Sequence, residues 1–145
     1  MKRNSGFSLV ELLVAVTIML ILAGTVGVSV WQWVPRARVA RATNDIEALK
    51  SAVAMYRADN FTVPTQRQGL EALVRRPTIP PVPRNWREGG YLDSAAIPTD
   101  PWGTPYAYLV PGPDGAAFEI VSYGADGMPG GEGDDADISS AAANQ

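Results

Sequence analysis

The chain has neither cysteine nor histidine among its 145 residues. Without cysteine, no disulfide can staple the small core that a chain of this length builds. Without histidine, it lacks the commonest general base and zinc ligand, and no Ser/His or Cys/His pair can form. The formal net charge is −3, and an acidic chain without a broad basic face is a poor binder of nucleic acid. These absences argue against an enzyme and against a nucleic-acid-binding protein.

A long apolar run stands near the start of the chain. Residues 12–34 contain no charged side chain, which exceeds the roughly 20 residues that cross a bilayer as a helix. Lys2 and Arg3 precede the run and predict a cytoplasmic N-terminus. Trp31 and Trp33 lie at its far end, where aromatic side chains favour the membrane interface. We therefore expect a single-pass membrane segment, with all residues after it outside the cytoplasm.

The helix is expected to continue beyond the membrane segment. From position 39 to 56, apolar residues recur at steps of three and four, which is typical of an amphipathic helix. These residues are Val39, Ala42, Ile46, Leu49, Val53 and Tyr56. Pro35 is expected to bend the helix. We predict one helical element over about residues 7–60.

A small head domain follows in the sequence. Thr65 and Gln68 have the spacing of a capping box and predict a short helix over residues 66–74, with Leu70 and Leu73 on its buried side.

Residues 106–110 and 118–123 are typical of two strands, joined by a Pro- and Gly-rich turn. The predicted fold class is therefore α+β, a long N-terminal helix packed on a small antiparallel sheet, followed by an acidic C-terminal loop.

Glu11 is a lone carboxylate within the apolar region. An unpaired carboxylate at a helix centre costs about 2.5–3.5 kcal/mol on insertion scales and less near a helix end. Cleavage between Gly6 and Phe7 would create an amine on Phe7, and the amine of a neighbouring subunit could neutralise Glu11. The alternatives are a Glu11 that snorkels to the cytoplasmic surface and an ordinary secretory signal, although a carboxylate such as Glu11 fits poorly within the apolar run of such a signal.

The segment from Gly6 to Val14 resembles the class III signal of type IV pilins and pseudopilins. That resemblance implies a prepilin peptidase that cuts after Gly6 and N-methylates Phe7. Further blocks, in the family's order, are similar to the major pseudopilin of type II secretion systems. These blocks are Asp59-Asn60, Pro64-Thr65, Gln68–Leu73, Gly89–Leu92, Asp100–Gly103 and Ser122–Gly127.

The family resemblance implies a division of the chain into a leader, residues 1–6, a transmembrane and filament-core helix, residues 7–34, and a periplasmic head, residues 35–145. Leu20 and Val28 stand where the family usually has Gly and Pro. In the family, the helix is melted at that Gly and Pro. Since this chain lacks both residues there, the alternative positions for a melted segment are Gly24, Gly27 and Pro35.

An acidic loop precedes the C-terminus. Residues 126–137 combine four Asp and one Glu with several Gly. Crowded carboxylates favour a hard cation such as Ca²⁺, which takes six to eight oxygen ligands. The loop is not an EF-hand, because Met128 and Gly130 occupy ligand positions. The alternative is a disordered, solvated acidic tail.

The resemblance to major pseudopilins implies a structural calcium site in this loop. Asp126 matches the first side-chain ligand of the family, and the carbonyl of Tyr123 matches a backbone ligand. Asp137 matches a distal ligand. Whether Asp134 or Asp135 completes the shell stays open.

The function implied is that of a structural subunit of a secretion pseudopilus, held in the bacterial inner membrane before assembly. Its implied partners are further copies of itself, the prepilin peptidase, the minor pseudopilins, the inner-membrane secretion platform and membrane lipid. A surface type IV pilin and a membrane-tethered binding module are the alternatives.

Overall fold

A computed structural model describes residues 8–141, without the side chains of residues 24–33. Its elements in chain order are α1 (Leu9–Asn60), a 3₁₀ helix (Leu70–Leu73), β1 (Ala107–Leu109), a second 3₁₀ turn (Pro113–Gly115), β2 (Glu119–Ser122), a third 3₁₀ turn (Gly133–Asp135) and β3 (Ile138–Ser139). The chain divides into two compact units, Met1–Ala37 and Arg38–Gln145, which we call the N-terminal unit and the head.

The N-terminal unit contains the first part of α1, and its described apolar side chains are exposed. Leu9 is 80% exposed and Met19 is 72% exposed. Among the described residues, no helix combines the length and apolar character needed to span a membrane. The membrane segment expected over residues 7–34 includes positions outside the described part, and it stays a prediction.

The head has a core built on one face of α1. Five of the six apolar positions at helical spacing are buried, which confirms the predicted face; they are Ala42, Ile46, Leu49, Val53 and Tyr56. Val39 is 38% exposed and lies one turn ahead of the packed face. The predicted helix is thus confirmed as a continuous element ending at Asn60.

The sheet has three antiparallel strands in the order β1-β2-β3. Tyr108 of β1 pairs with Ile120 of β2, and Ser122 of β2 pairs with Ile138 of β3. Ile120 is fully buried in the same cluster as the helix face. The two predicted strands are confirmed with shorter bounds, whereas β3 was not predicted because its two residues offer no alternation to detect.

The predicted α-helix over residues 66–74 is wrong. Residues 66–69 form turns, and only Leu70–Leu73 are helical, as a 3₁₀ helix. The reason is Gly69, whose φ of 61° and ψ of −169° lie outside the helical region. Leu70 and Leu73 are nevertheless buried as predicted.

Gln68 links this segment to the loop that follows it. Thr65 N–H donates to Gln68 Oε1 at 3.0 Å, and Gln68 N–H donates to Thr65 Oγ1 at 3.3 Å, which confirms the predicted reciprocal bonds. Gln68 Nε2 also donates to the carbonyls of Ile79 and Pro81 at 2.8 and 2.9 Å. One buried amide therefore organises both the turn and the Pro-rich loop.

Candidate functional site

Glu11 lies in the first turn of α1, and it is exposed. A carboxylate in a first turn interacts favourably with the N-terminal end of the helix dipole. The ion pairs within the described residues all lie in the head, and none includes Glu11. Gly6 and Phe7, the predicted processing pair, lie outside the described residues. Glu11 is therefore placed so that a group from another chain could reach it.

The acidic loop, extended to residues 123–137 so that it includes Tyr123, is folded by its own backbone. The Ala125 N–H donates to the carbonyl of Asp134 at 2.9 Å. At Gly131, a Cβ atom would lie 2.5 Å from the carbonyl oxygen of Asp135, and at Gly124 one would lie 2.6 Å from its carbonyl carbon. Both glycines also have positive φ, which side-chain-bearing residues adopt at a cost. The loop therefore closes on itself, in contrast to an open solvated tail.

Two aspartates of the loop are exposed and hold turns. Asp126 Oδ1 accepts from Met128 N–H at 3.0 Å, and Asp137 Oδ2 accepts from Gly130 N–H at 3.0 Å. This is the local side-chain-to-backbone bonding typical of aspartate in turns.

The other predicted ligands are two further aspartates and the carbonyl of Tyr123. Asp134 and Asp135 are half-buried in the third 3₁₀ turn, and Tyr123 directly follows β2. Within residues 8–141, no three acidic side chains converge closely enough to hold a metal ion. The all-oxygen donor set and the close backbone approach fit calcium chemistry, but the carboxylates are spread around the loop and do not form a ready cluster.

Asp100 is a buried carboxylate that connects the loop of residues 99–105 to the sheet. It is 2% exposed. Its Oδ1 accepts from the N–H groups of Trp102 and Thr104 at 3.0 and 2.8 Å, and its Oδ2 accepts from Ser122 Oγ at 2.7 Å. Because Ser122 ends β2 just before Tyr123, Asp100 also fixes the start of the acidic loop.

Asp100 was missed as a site residue. The signal was present, since aspartate before Pro and Gly favours a turn held by its side chain. Its third partner, Ser122, is distant in sequence, and no local pattern points to that contact.

Two tyrosines fasten the sheet to the preceding segments. Tyr106 donates from its hydroxyl to Asp45 Oδ2 at 3.0 Å, and Tyr108 donates to the carbonyl of Pro64 at 3.0 Å. Burial, followed by the bond to Asp45, raises the pKa of Tyr106 above its usual range. Burial likewise raises the pKa of Tyr108. Both hydroxyls are therefore held in the neutral, donating form.

Two of the basic residues that follow the first 3₁₀ helix contact other groups of the head. Arg87 pairs with Asp59 at 3.3 Å and lies over the ring of Tyr91, 5.4 Å from its centroid. Arg76 donates to the carbonyl of Pro83 at 3.1 Å. Arg84 is exposed. This surface is therefore more ordered than a solvated loop.

A long N-terminal helix packed in its second part on a small antiparallel sheet defines a pilin-like protein. A family model described as "Type II secretion system (T2SS), protein G" matches residues 29–141. One described as "Prokaryotic N-terminal methylation motif" matches residues 1–27. The chain therefore belongs to the type II secretion system protein G family. It is a structural subunit of the pseudopilus, and as a pseudopilin with this motif it is anchored at the inner membrane.

Similar proteins agree with this assignment. The type II secretion system core protein G of Pseudomonas aeruginosa is 48% identical over 137 residues, with 94% of each chain covered. That of Vibrio cholerae is 47% identical over 138 residues, which cover 95% of this chain and 92% of the other. The fold resembles the crystal structure of the major pseudopilin from the type 2 secretion system of enterohaemorrhagic Escherichia coli. Its TM-score is 0.63 at 43% identity, covering 72% of this chain and 87% of that one.

Proposed function

We propose that this chain is the repeating subunit of a homopolymeric pseudopilus, drawn from the inner membrane after its leader is removed. Prepilin peptidase would cut between Gly6 and Phe7 and methylate the new amine. Glu11 of one subunit would then pair with the amine of a neighbour. The observation that carries this proposal is the exposed carboxylate of Glu11 in the first helical turn, outside every described ion pair.

The orientation proposed has the N-terminus in the cytoplasm, residues 7–34 in the membrane and the head in the periplasm. The growing filament would work with minor pseudopilins and the inner-membrane secretion platform to export folded proteins across the outer membrane. In a helical filament every subunit makes the same heterologous contacts, so a single docking pair at Glu11 is repeated along its length.

The mass of the mature N-terminus tests this proposal. A chain purified from membranes is expected to begin at methylated Phe7, and Glu11→Ala is expected to be processed yet to assemble poorly. Glu11→Gln keeps the side-chain shape and removes only the charge, so it is expected to be processed and to assemble poorly as well. A chain that begins at Met1 and works normally with Glu11→Ala would instead indicate a membrane-tethered module. Long adhesive fibres at normal expression would indicate a surface pilin.

We also propose that Ca²⁺ binds in the acidic loop and stabilises the head. Asp126 and Asp137 would supply side-chain oxygens, Tyr123 a carbonyl oxygen, and either Asp134 or Asp135 a further carboxylate. The proposal is supported by the oxygen-only donor set and by the close approach of Gly124 and Gly131 to Asp135. The bound cation would offset the mutual repulsion of these carboxylates.

Thermal unfolding of a fragment of residues 36–145, which contains the head, tests the calcium proposal. Ligand at about 100 times its dissociation constant stabilises a folded protein by roughly 2.7 kcal/mol, so the midpoint is expected to rise with Ca²⁺ and return with chelator. Asp126→Ala is expected to abolish the rise. Asp93→Ala, an exposed change outside the loop, is the control that keeps it. An unchanged midpoint in the wild-type head would rule out a stabilising calcium site.

A further inference from the structure

Phe61 is an exposed aromatic residue in an unfavourable backbone conformation. It directly follows α1, and its N–H donates to the carbonyl of Arg57 at 2.8 Å. Its φ is 61°, and its side chain is 88% exposed. Helices often end with a residue in this left-handed conformation, but that residue is usually glycine, because a Cβ atom makes the conformation costly.

Within its own subunit, Phe61 contributes little that would offset these costs. A phenylalanine that is 88% exposed leaves nearly all of its ring in water. Val82, 46% exposed, lies beside it and lines the same surface hollow. Arg57 and Arg84 each line one of the two hollows that Phe61 borders, and both are exposed. The result is an apolar projection with cationic edges, which we call the Phe61 knob.

A groove of complementary character lies elsewhere on the head. It encloses about 420 Å³ between the first 3₁₀ helix, the loop of residues 97–105 and β1. Its walls include Leu70, Ile97 and Tyr106, and its rim includes the exposed carboxylate of Glu71. The groove shares no lining residue with the two hollows that Phe61 borders. Glu71 belongs to none of the ion pairs of the described residues.

We propose that the Phe61 knob of one copy inserts into this groove on the next copy in the filament. This inference rests on the proposed function as a homopolymer. A projection on one surface and a groove on another form a heterologous contact, which extends into a filament and does not close into a dimer. Glu71, the one carboxylate among the described residues that line the groove, is opposite in charge to Arg57 and Arg84 of the knob. Elsewhere on the groove, by contrast, Arg41 donates to the carbonyl of Thr99. Pairing of opposite charges favours one register and disfavours wrong partners. The ring of Phe61 is buried only when the neighbour is present.

Photocrosslinking in assembled filaments tests the contact directly. A benzophenone analogue of phenylalanine at position 61 of the full-length chain keeps an aromatic ring there. Irradiation is expected to link copies to one another, and mass spectrometry of the linked peptides is expected to map the second site to residues 66–71 or 97–105. The same analogue at position 114, an exposed position of the turn before β2, is the control and is expected not to label the groove.

A substitution with opposite effects on the subunit and on the filament gives a second test. Phe61→Gly relieves the left-handed strain, so the melting midpoint of the full chain in detergent is expected to stay constant or rise. Filament yield is expected to fall, because the knob is lost. Phe61→Leu keeps an apolar side chain and is expected to retain part of that yield.

The outcomes separate this inference from the proposed function. If the wild-type chain forms no filaments, both fail. If filaments form but position 61 labels another site, labels position 61 of a second copy or labels a different protein, the knob-in-groove contact alone is overturned. Normal assembly of Phe61→Gly would overturn it as well.

Discussion

The two parts of α1 use apolar residues in opposite ways. In the N-terminal unit the described apolar side chains are exposed, with Leu13 at 62%. In the head, the apolar face of the same helix is buried from Ala42 to Tyr56, and Leu49 is fully buried. The sequence spacing differs accordingly: the first part is a continuous apolar run, and the second has steps of three and four. A helix whose apolar residues are not covered by its own chain needs cover from lipid or from other subunits.

The largest effect is expected from breaking this contrast at Leu49. Leu49→Ala is expected to destabilise the head by about 2–5 kcal/mol, because it leaves a cavity in the core. Leu13→Ala removes the same atoms from the N-terminal unit and is expected to leave the unfolding of the head unchanged. Thermal unfolding of the full chain in mild detergent, followed by circular dichroism, measures both. Equal losses of head stability in the two variants would show that the head depends on apolar residues of both parts of α1 alike.

The buried face of α1 was predictable because helical periodicity is a local signal. Ile46 and Tyr56 face the core for the same reason as Leu49, and Thr65 and Gln68 form the bonds that their spacing predicts. Each of these contacts joins residues close in sequence or on one regular face.

The parts that were not predicted depend on contacts between distant segments or on single backbone angles. Gly69 ends the expected helix through its own φ and ψ. The strand Ile138–Ser139 exists because β2 offers it an edge. In the acidic loop, the closing bond of Ala125 to Asp134 is set by turn geometry, which composition does not specify.

The next largest effect is expected at Asp100, where a polar group stabilises the head. Asp100→Ala removes three bonds to a buried carboxylate and is expected to cost about 2–4 kcal/mol, because the donors are left without partners. Ser122→Ala removes only one of the bonds and is expected to cost about 1 kcal/mol. Denaturant unfolding of the head measures both, with the exposed Glu88→Ala as control. If Asp100→Ala left the free energy of unfolding unchanged, the bonds to this carboxylate would not stabilise the head.

A smaller effect is expected from Gly131→Ala in the acidic loop. Its Cβ would lie 2.5 Å from the carbonyl oxygen of Asp135, whereas a Cβ at Gly130 meets nothing within 4 Å. Both positions have positive φ, so each alanine carries a strain of about 1–2 kcal/mol. Any further decrease in the melting midpoint of Gly131→Ala relative to Gly130→Ala therefore measures the steric clash with Asp135. The melting midpoints of the two variants are measured without added calcium. Equal midpoints would show that the loop shifts to relieve the clash without a loss of stability.

The smallest effect is expected from alkaline pH, and it is confined to the head. Burial raises the pKa of Tyr108 and Tyr106 in the folded state, whereas an unfolded tyrosine ionises near about 10. The stabilisation from these neutral hydroxyls is therefore complete below about pH 10 and is lost as the pH rises through their folded values. The melting midpoint of the head is expected to fall above about pH 10. Tyr108→Phe loses the bond to Pro64 at all pH values but is expected to show a shallower alkaline fall, because it removes one of the three tyrosines whose pKa burial raises, Tyr56, Tyr106 and Tyr108. An equally steep fall in Tyr108→Phe would assign the alkaline sensitivity to other groups.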